Sequence, residues 1–133
     1  MTVIDTSAMV DYLLGGRCEP DVTAILVEEG IASAPDILVF ETLAVLRRNV
    51  LRGDLDAGRA SAAVYDFGDA AIELIPTHPL RLRAWELRDN LTIGDAFFVT
   101  LAEQLGEPLA TTDARLAAAA RRHTGIDVIV LAA

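Results

Sequence analysis

Short apolar runs of strand type alternate with helical segments along the whole chain, and this alternation restricts its fold more than any other feature. Strands separated by helices favour a mainly parallel sheet, because each helical connection returns the chain to the same end of the sheet. The sequence therefore predicts an α/β fold with a mainly parallel central sheet. The predicted strands are 2–4, 31–34, 71–75, 109–111 and 127–131, and the predicted helices are 7–14, 20–29, 37–52, 56–67, 79–89, 95–105 and 114–122.

The size and apolar content of the chain suit one domain with its own core. It has 133 residues, of which 53% are hydrophobic, and a mean hydropathy of +0.39. The densest apolar stretch, 37–46, is interrupted by Glu41 and is too short to cross a bilayer. No basic residue precedes Asp5, so the N-terminus lacks the pattern of a secretory signal peptide. We therefore expect residues 1–133 to form a single cytoplasmic domain with no membrane span.

Three acidic residues lie where predicted strands end or predicted helices begin. Asp5 follows the first strand, Asp113 follows the fourth strand, and Asp95 opens the sixth helix. Because ligands bind at the carboxyl ends of the strands in parallel sheets, these acids could meet at one edge. The alternative for each acid is that it only caps its helix, although Thr6 or Ser7 could cap the first helix without Asp5.

Glu41 lies in the most apolar segment of the chain, which predicts a helix that is apolar almost all round and therefore buried. An ionised carboxylate is costly to bury unless it is paired or bound to a metal ion. The alternative is an ion pair with an arginine such as Arg47 or Arg48. Both arginines lie beyond the reach of direct helical neighbours. Glu41 is therefore a fourth candidate for the same site.

The four candidate acids would need a counter-charge if they shared one site. Crowded carboxylates repel one another, which raises their pKa values unless a cation lies between them. Oxygen ligands suit Mg²⁺, and such an ion can activate water and stabilise the transition state of phosphoryl transfer. The residue types therefore favour metal-dependent hydrolysis of phosphodiester bonds, and nothing in the sequence suits a zinc site.

Four segments of the chain resemble, in order, the motifs of the PIN domain. The resemblance is closest to the VapC toxins of VapBC toxin–antitoxin pairs, and it covers essentially the whole chain. Each motif alone is moderately specific, and the four in sequence identify the chain as similar to this family. The segments are 3–8 (VIDTSA), 40–48 (FETLAVLRR), 90–103 (NLTIGDAFFVTLAE) and 108–116 (PLATTDARL).

This resemblance implies a compact three-layer α/β/α fold and an endonuclease that cleaves RNA with Mg²⁺ or Mn²⁺. It also implies that the toxin is a homodimer and that a cognate VapB-type antitoxin inhibits it. One departure from the family is Gly94, where such proteins often carry a larger residue such as tyrosine, and which could loosen the loop before Asp95. The acidic positions of the family fall on Asp5, Glu41, Asp95 and Asp113, and its supporting polar positions fall on Ser7 and Thr111.

The net charge of −9 argues against an electropositive surface for nucleic acid. Bound divalent cations would neutralise several acids and can themselves receive phosphate, so this objection is only partial. We expect weak non-specific binding and dependence on an RNA of particular shape or on an RNA loop. The arginines that could contact RNA phosphates, or simply face solvent, are Arg47, Arg48, Arg52 and Arg115.

Other proteins that gather carboxylates around a cation fit this sequence less well. Phosphoacceptor receiver domains have an essential lysine near the last strand, and this chain contains no lysine. Phosphatases of the haloacid-dehalogenase type have Asp-x-Asp after the first strand, whereas Thr6 and Ser7 follow Asp5. Two alternatives stay open: a PIN-like RNA-processing nuclease that is not a toxin, and a catalytically silent acidic domain that binds a partner.

Overall fold

In the computed structural model, which describes residues 1–132, five strands form one sheet in the spatial order β3-β2-β1-β4-β5. Every neighbouring pair of strands runs parallel. The predicted α/β fold is therefore confirmed, and its sheet is parallel throughout the described residues. The strands are Val3–Ile4 (β1), Ala32–Pro35 (β2), Ile72–Ile75 (β3), Leu109–Thr111 (β4) and Val128–Val130 (β5).

Seven α-helices connect or follow these strands in residues 1–132. The predicted helix 79–89 is instead a 3-10 turn over His78–Leu80 followed by a helix of six residues. The predicted helix 95–105 begins two residues earlier, because the Thr92 hydroxyl caps it by accepting a hydrogen bond from the backbone N–H of Asp95. The helices are Thr6–Leu13 (α1), Glu19–Glu29 (α2), Ile37–Leu51 (α3), Ala57–Phe67 (α4), Arg81–Glu86 (α5), Ile93–Leu105 (α6) and Ala114–His123 (α7).

The central strands are covered on both faces. All residues of β1, β2 and β4 are buried. Successive side chains of a strand point to opposite faces of the sheet, so continuous burial requires helices on both sides. The architecture is therefore the predicted three-layer α/β/α arrangement. The edge strands β3 and β5 are only partly buried.

The order of the strands determines where a ligand can bind. The chain starts at β1 in the centre, adds β2 and β3 on one side, and then adds β4 and β5 on the other side. The strand order therefore reverses between β1 and β4, and ligands of open α/β sheets bind outside the carboxyl ends of the strands at such a point. Asp5 follows β1 there, and Asp113 lies two residues beyond the end of β4.

The burial predicted for the most apolar helix, α3, is wrong. Its buried residues are Leu38, Thr42 and Leu46, which lie on a single face at helical spacing. Phe40 on the open side is 72% exposed. The helix packs against its neighbours with one face only, and an apolar composition does not show which face that is. No helix within residues 1–132 is long and apolar enough to cross a membrane.

Candidate active site

The four candidate acids all line one cavity of about 630 Å³ at the carboxyl ends of β1 and β4. Helices α1, α3 and α6 supply the rest of its wall. The fold therefore brings together acids that are widely separated in sequence. They are Asp5 directly after β1, Glu41 on α3, Asp95 on α6 and Asp113 directly before α7.

Asp5 is almost completely enclosed, with 4% of its surface exposed. Its Oδ1 atom accepts hydrogen bonds from the Ser7 hydroxyl at 2.7 Å and from the backbone N–H of Ala8 at 2.9 Å. Its Oδ2 atom accepts one from the Thr111 hydroxyl at 2.5 Å. Asp5 is thus the cap of α1 as well as a cavity residue. The possibility that Thr6 or Ser7 caps this helix without Asp5 is not realised, because the Ser7 hydroxyl donates to Asp5 and the Thr6 hydroxyl donates to Glu41.

The hydroxyls of Ser7 and Thr111 also connect the ends of β1 and β4. The Thr111 hydroxyl accepts from the backbone N–H of Asp113 at 2.9 Å, and the Ser7 hydroxyl accepts from that of Thr112 at 3.1 Å. Each hydroxyl therefore donates to Asp5 and accepts from the segment that carries Asp113. Ser7 and Thr111, the two polar residues indicated by the family resemblance, therefore fix the orientation of Asp5 relative to the segment that carries Asp113.

Asp95 and Asp113 differ in whether they cap a helix. Thr92 caps α6, so the alternative that Asp95 is only a cap is wrong. Asp113 does cap α7, with Oδ1 accepting from the backbone N–H groups of Arg115 at 2.9 Å and Leu116 at 3.2 Å. Capping uses one oxygen of Asp113 and leaves the other available to the cavity. The two functions of this acid are therefore compatible.

Glu41 is half-buried and is held by α1. Its Oε1 atom accepts a hydrogen bond from the Thr6 hydroxyl at 2.8 Å. Within residues 1–132 no arginine lies within 4.0 Å of its carboxylate, so the ion-pair alternative is wrong. The carboxylate lies against Gly94, which belongs to the first turn of α6 rather than to a loop before it. The expected loosening of a loop at Gly94 is therefore also wrong.

Burial and mutual repulsion act on the acids of the cavity. Burial raises the pKa of the Asp5 carboxyl, and the charge of Asp95 raises it further, against the lowering effect of its hydrogen bonds. Burial also raises the pKa of Asp95, to which the charge of Asp113 adds, while Arg115 acts in the opposite direction. The charge of Asp95 therefore acts on Asp5 and the charge of Asp113 acts on Asp95, as expected for neighbouring carboxylates.

The four candidate arginines divide into two pairs. Arg48 lines the cavity, and Arg115 lies near enough to Asp95 to lower its pKa. Arg47 and Arg52 are exposed and are not among the residues that line the cavity. Only the first pair is therefore positioned to act on a ligand bound among the acids.

Three polar residues that line the cavity, Thr6, Asp11 and Thr112, were missed as site residues by the sequence analysis. Thr6 holds Glu41 across a separation of 35 residues, which no local pattern could reveal. Asp11 lines the cavity and accepts a hydrogen bond from the backbone N–H of Cys18 at 2.7 Å. Helical spacing could have indicated Asp11, because it lies one turn after Ser7 on the same helix.

The donor set fits a hard divalent cation with open coordination positions. Within residues 1–132 no three acidic, cysteine or histidine side chains converge closely enough to surround a metal ion on their own. Mg²⁺ in enzymes is usually held by one or two carboxylates, with water and substrate phosphate completing the shell. The cavity is large enough to admit such water. The carboxylates therefore suit a shared ion of this kind better than a closed protein cage.

Comparisons with known proteins agree with this architecture. The PIN domain family matches residues 2–122. The chain is 41% identical to Ribonuclease VapC1 of Mycobacterium tuberculosis over 122 residues, which cover 88% of this chain and 89% of that protein. It is 31% identical to Ribonuclease VapC12 of the same organism, covering 97% and 99% of the two chains. The crystal structure of PAE2754 from Pyrobaculum aerophilum superposes with a TM-score of 0.72 at 19% identity, covering 96% of this chain and 81% of that one, and supports the fold alone.

Proposed function

The chain belongs to the PIN-domain family and is related to its VapC ribonucleases, and we propose that its acidic cavity is the active site of a toxin endoribonuclease dependent on Mg²⁺ or Mn²⁺. The observation that supports this most directly is that Asp5, Glu41, Asp95 and Asp113 all line one cavity. That cavity lies at the switch point of the sheet, where ligands of α/β folds bind. We also propose that residues 1–133 act as a single PIN domain on cytoplasmic RNA.

In this proposal the four acids would share in holding the cation, some as direct ligands and the others through its bound water. Asp5 is oriented by three hydrogen bonds, Asp113 by the N-terminus of α7, and Glu41 by Thr6. Their carboxylates are thus largely preorganised before any ion binds. A bound divalent cation supplies positive charge that polarises the scissile phosphate and lowers the pKa of water. Arg48 and Arg115 add positive charge beside the acids and are available to contact the RNA backbone.

The acidic surface limits how the protein holds RNA. With a net charge of −9, the chain gains little from the non-specific attraction on which most RNA-binding proteins depend. Binding therefore depends on local contacts at the cavity and on an RNA whose shape presents one phosphate to it. We infer that the substrate is an RNA of particular shape or an RNA loop rather than any single strand.

A VapB-type antitoxin is the partner we propose as inhibitor. The acidic cavity is a suitable target for a basic side chain, and an arginine can pair with a carboxylate through two parallel hydrogen bonds. Such a contact would occupy the oxygens needed by the cation. Exposed apolar residues such as Phe40, which is 72% exposed at the cavity wall, favour burial against a partner. We further propose that the active toxin is a homodimer.

The decisive experiment is a cleavage assay on a panel of structured RNAs with Mg²⁺ or Mn²⁺. Asp95→Asn removes one charge while Thr92 continues to cap α6, and we expect it to reduce cleavage by about 100-fold or more. Asp127→Asn, at an exposed aspartate outside the cavity, is the matched control and should cleave like the wild type. Chelation by EDTA should abolish cleavage by both the control and the wild type.

Cleavage that persists in Asp95→Asn or in EDTA would contradict the catalytic role of the cavity. No cleavage by the wild type, together with binding of a basic antitoxin, would instead favour the silent partner-binding alternative. Sequencing of RNA ends after induced expression then separates a toxin from an RNA-processing nuclease. A toxin arrests growth while it cuts a functional RNA, whereas a processing nuclease produces mature ends.

A further inference from the structure

The backbone does not require glycine at position 94. Gly94 lies in the first turn of α6, and its φ angle is outside the positive range. Glycine in a helix interior costs up to about 1 kcal/mol of stability relative to alanine. A reason for glycine here therefore has to come from what surrounds its missing side chain. The glycines with positive φ are Gly15, Gly30, Gly53 and Gly106.

The space beside Gly94 is occupied by the carboxylate of Glu41. A Cβ atom at Gly94 would collide with Oε2 of Glu41, and it would lie 3.3 Å from Cδ and 3.7 Å from Oε1 of the same residue. The nearest atoms thus all belong to one flexible side-chain end, and none belongs to the backbone. The missing side chain at Gly94 is what admits the Glu41 carboxylate to the first turn of α6.

Thr6 holds the other oxygen of this carboxylate. Its hydroxyl donates to Oε1 of Glu41 at 2.8 Å. One oxygen is therefore fixed by α1 and the other lies against α6, although Glu41 itself is carried by α3. The N-terminal turn of a helix favours negative charge, so this position suits an ionised carboxylate.

We propose that Gly94 and Thr6 are positioning residues that set the carboxylate of Glu41 for cation binding. This inference rests on the proposed function, in which Glu41 is one of the acids that hold the cation. A methyl group at position 94 would displace the end of the Glu41 side chain rather than the helix, because the atom it meets is the flexible one. The fold would keep its stability, whereas cation binding would weaken.

Gly94→Ala tests this directly, with Mn²⁺ calorimetry and thermal unfolding of the full chain as readouts. We expect the variant to melt at or above the wild-type temperature and to bind Mn²⁺ about 10- to 100-fold more weakly. A merely structural role for glycine would predict the opposite, a lower melting temperature. Gly58→Ala is the matched control, because Gly58 is also the second residue of its helix. Its added Cβ would approach only Oδ2 of Asp56, at 3.0 Å, and Mn²⁺ affinity should not change.

Glu41→Gln separates this inference from the proposed function. If Gly94 acts through Glu41, then Gly94→Ala adds no further loss of Mn²⁺ affinity in the Glu41→Gln background. A full additional loss there would overturn the inference. Weaker Mn²⁺ binding by Glu41→Gln with unchanged binding by Gly94→Ala would overturn the inference alone. Unchanged Mn²⁺ binding by Glu41→Gln would overturn the role of Glu41 in the proposed function, and the inference with it.

Variants of Thr6 test the positioning of Glu41 independently if Gly94→Ala does not fold. Thr6→Val removes the hydroxyl that donates to Glu41, and we expect it to weaken Mn²⁺ binding about 10-fold or more. Thr6→Ser keeps the hydroxyl and should retain wild-type affinity. Equal Mn²⁺ affinity in the valine and serine variants would overturn the positioning role of Thr6.

Discussion

The hydroxyl of Thr111 donates a hydrogen bond to Oδ2 of Asp5, which precedes it by 106 positions in the chain. The contact exists because β4 lies parallel beside β1, with Ala110 in register with Ile4. The last residue of β4 and the residue that follows β1 therefore meet at the same edge of the sheet. The parallel pairing of β1 with β4 therefore brings the Thr111 hydroxyl to the carboxylate that it orients in the cavity.

Thr111→Val removes this hydrogen bond and also the acceptor for the backbone N–H of Asp113. Because the site is buried, we expect the free energy of unfolding to fall by about 1–3 kcal/mol and cleavage to fall about 10-fold or more. Urea denaturation and the RNA cleavage assay measure the two effects. Thr111→Ser keeps the hydroxyl and should retain most of both properties. Equal stability of the valine variant and the wild type would show that this contact contributes little.

The raised pKa of Asp5 predicts how the stability of the metal-free protein depends on pH. Burial is the main cause that raises this pKa above the ordinary value of 3.8, and the charge of Asp95 contributes. At pH values between 3.8 and the raised pKa of Asp5, the folded protein binds more protons than the unfolded chain. The free energy of unfolding therefore decreases as the pH rises through this window.

Asp5→Asn should flatten that decrease, because it removes one of the groups that titrate. Asp95, whose pKa is also raised, accounts for the slope that remains. Thermal unfolding of metal-free protein at a series of pH values measures the slope. Added Mn²⁺ should raise the melting temperature of the wild type more than that of the variant. A variant with the same slope as the wild type would mean that Asp5 is not a source of the pH dependence.

Arg48 and Arg47 are neighbours in sequence but differ in position, since only Arg48 lines the cavity. We expect Arg48→Gln to weaken RNA binding and to reduce the slope of log affinity against log salt by about one unit. Arg47→Gln is the matched control and should leave this slope unchanged. Fluorescence anisotropy in the Asp95→Asn background, in which we expect little cleavage, measures both slopes at several salt concentrations. Identical slopes for the two arginine variants would contradict the assignment of Arg48.

Arg83 pairs with Glu103 through two hydrogen bonds, of 2.8 Å from Nε and 3.1 Å from Nη2. It also contacts Glu86 at 3.1 Å, and these partners raise the pKa of its guanidinium. Since about a third of the Arg83 side chain is exposed, we expect Arg83→Gln to cost only about 0.5–1 kcal/mol of stability. Cleavage should not change, because the pair lies outside the cavity. A large loss of cleavage without loss of stability would contradict this purely structural role.

The strand–acid–helix order was predictable because it depends on neighbouring residues. Asp5 and Asp113 each follow a short apolar strand, and both emerge at the carboxyl edge as expected. That each of them also caps a helix follows from the same local order. The sequence predicts that α6 starts at Asp95, whereas it starts two residues earlier because Thr92 caps it. Threonine and aspartate are both favoured capping residues, so the sequence offered two possible caps for this helix, Thr92 and Asp95.

The surroundings of Glu41 could not be predicted in the same way. The helix that carries it is rich in apolar residues on several sides, and periodicity cannot show which side its neighbours cover. The structure leaves Phe40 exposed and turns Glu41 towards α1 and α6. The role of Gly94 is equally dependent on a neighbour, because its missing side chain matters only where Glu41 approaches it.

The sequence by itself determined the order of strands and helices, the parallel sheet and the kind of chemistry that its acids can support. These properties depend on local hydrophobic periodicity and on side-chain type. Only the tertiary structure decided that Thr6 holds Glu41 and that Thr111 holds Asp5. The contact between Thr111 and Asp5 depends on the register of β1 with β4. The contact between Thr6 and Glu41 depends on how α3 packs against α1. Both are set by the burial of apolar surface over the whole molecule, to which each local segment contributes only a part.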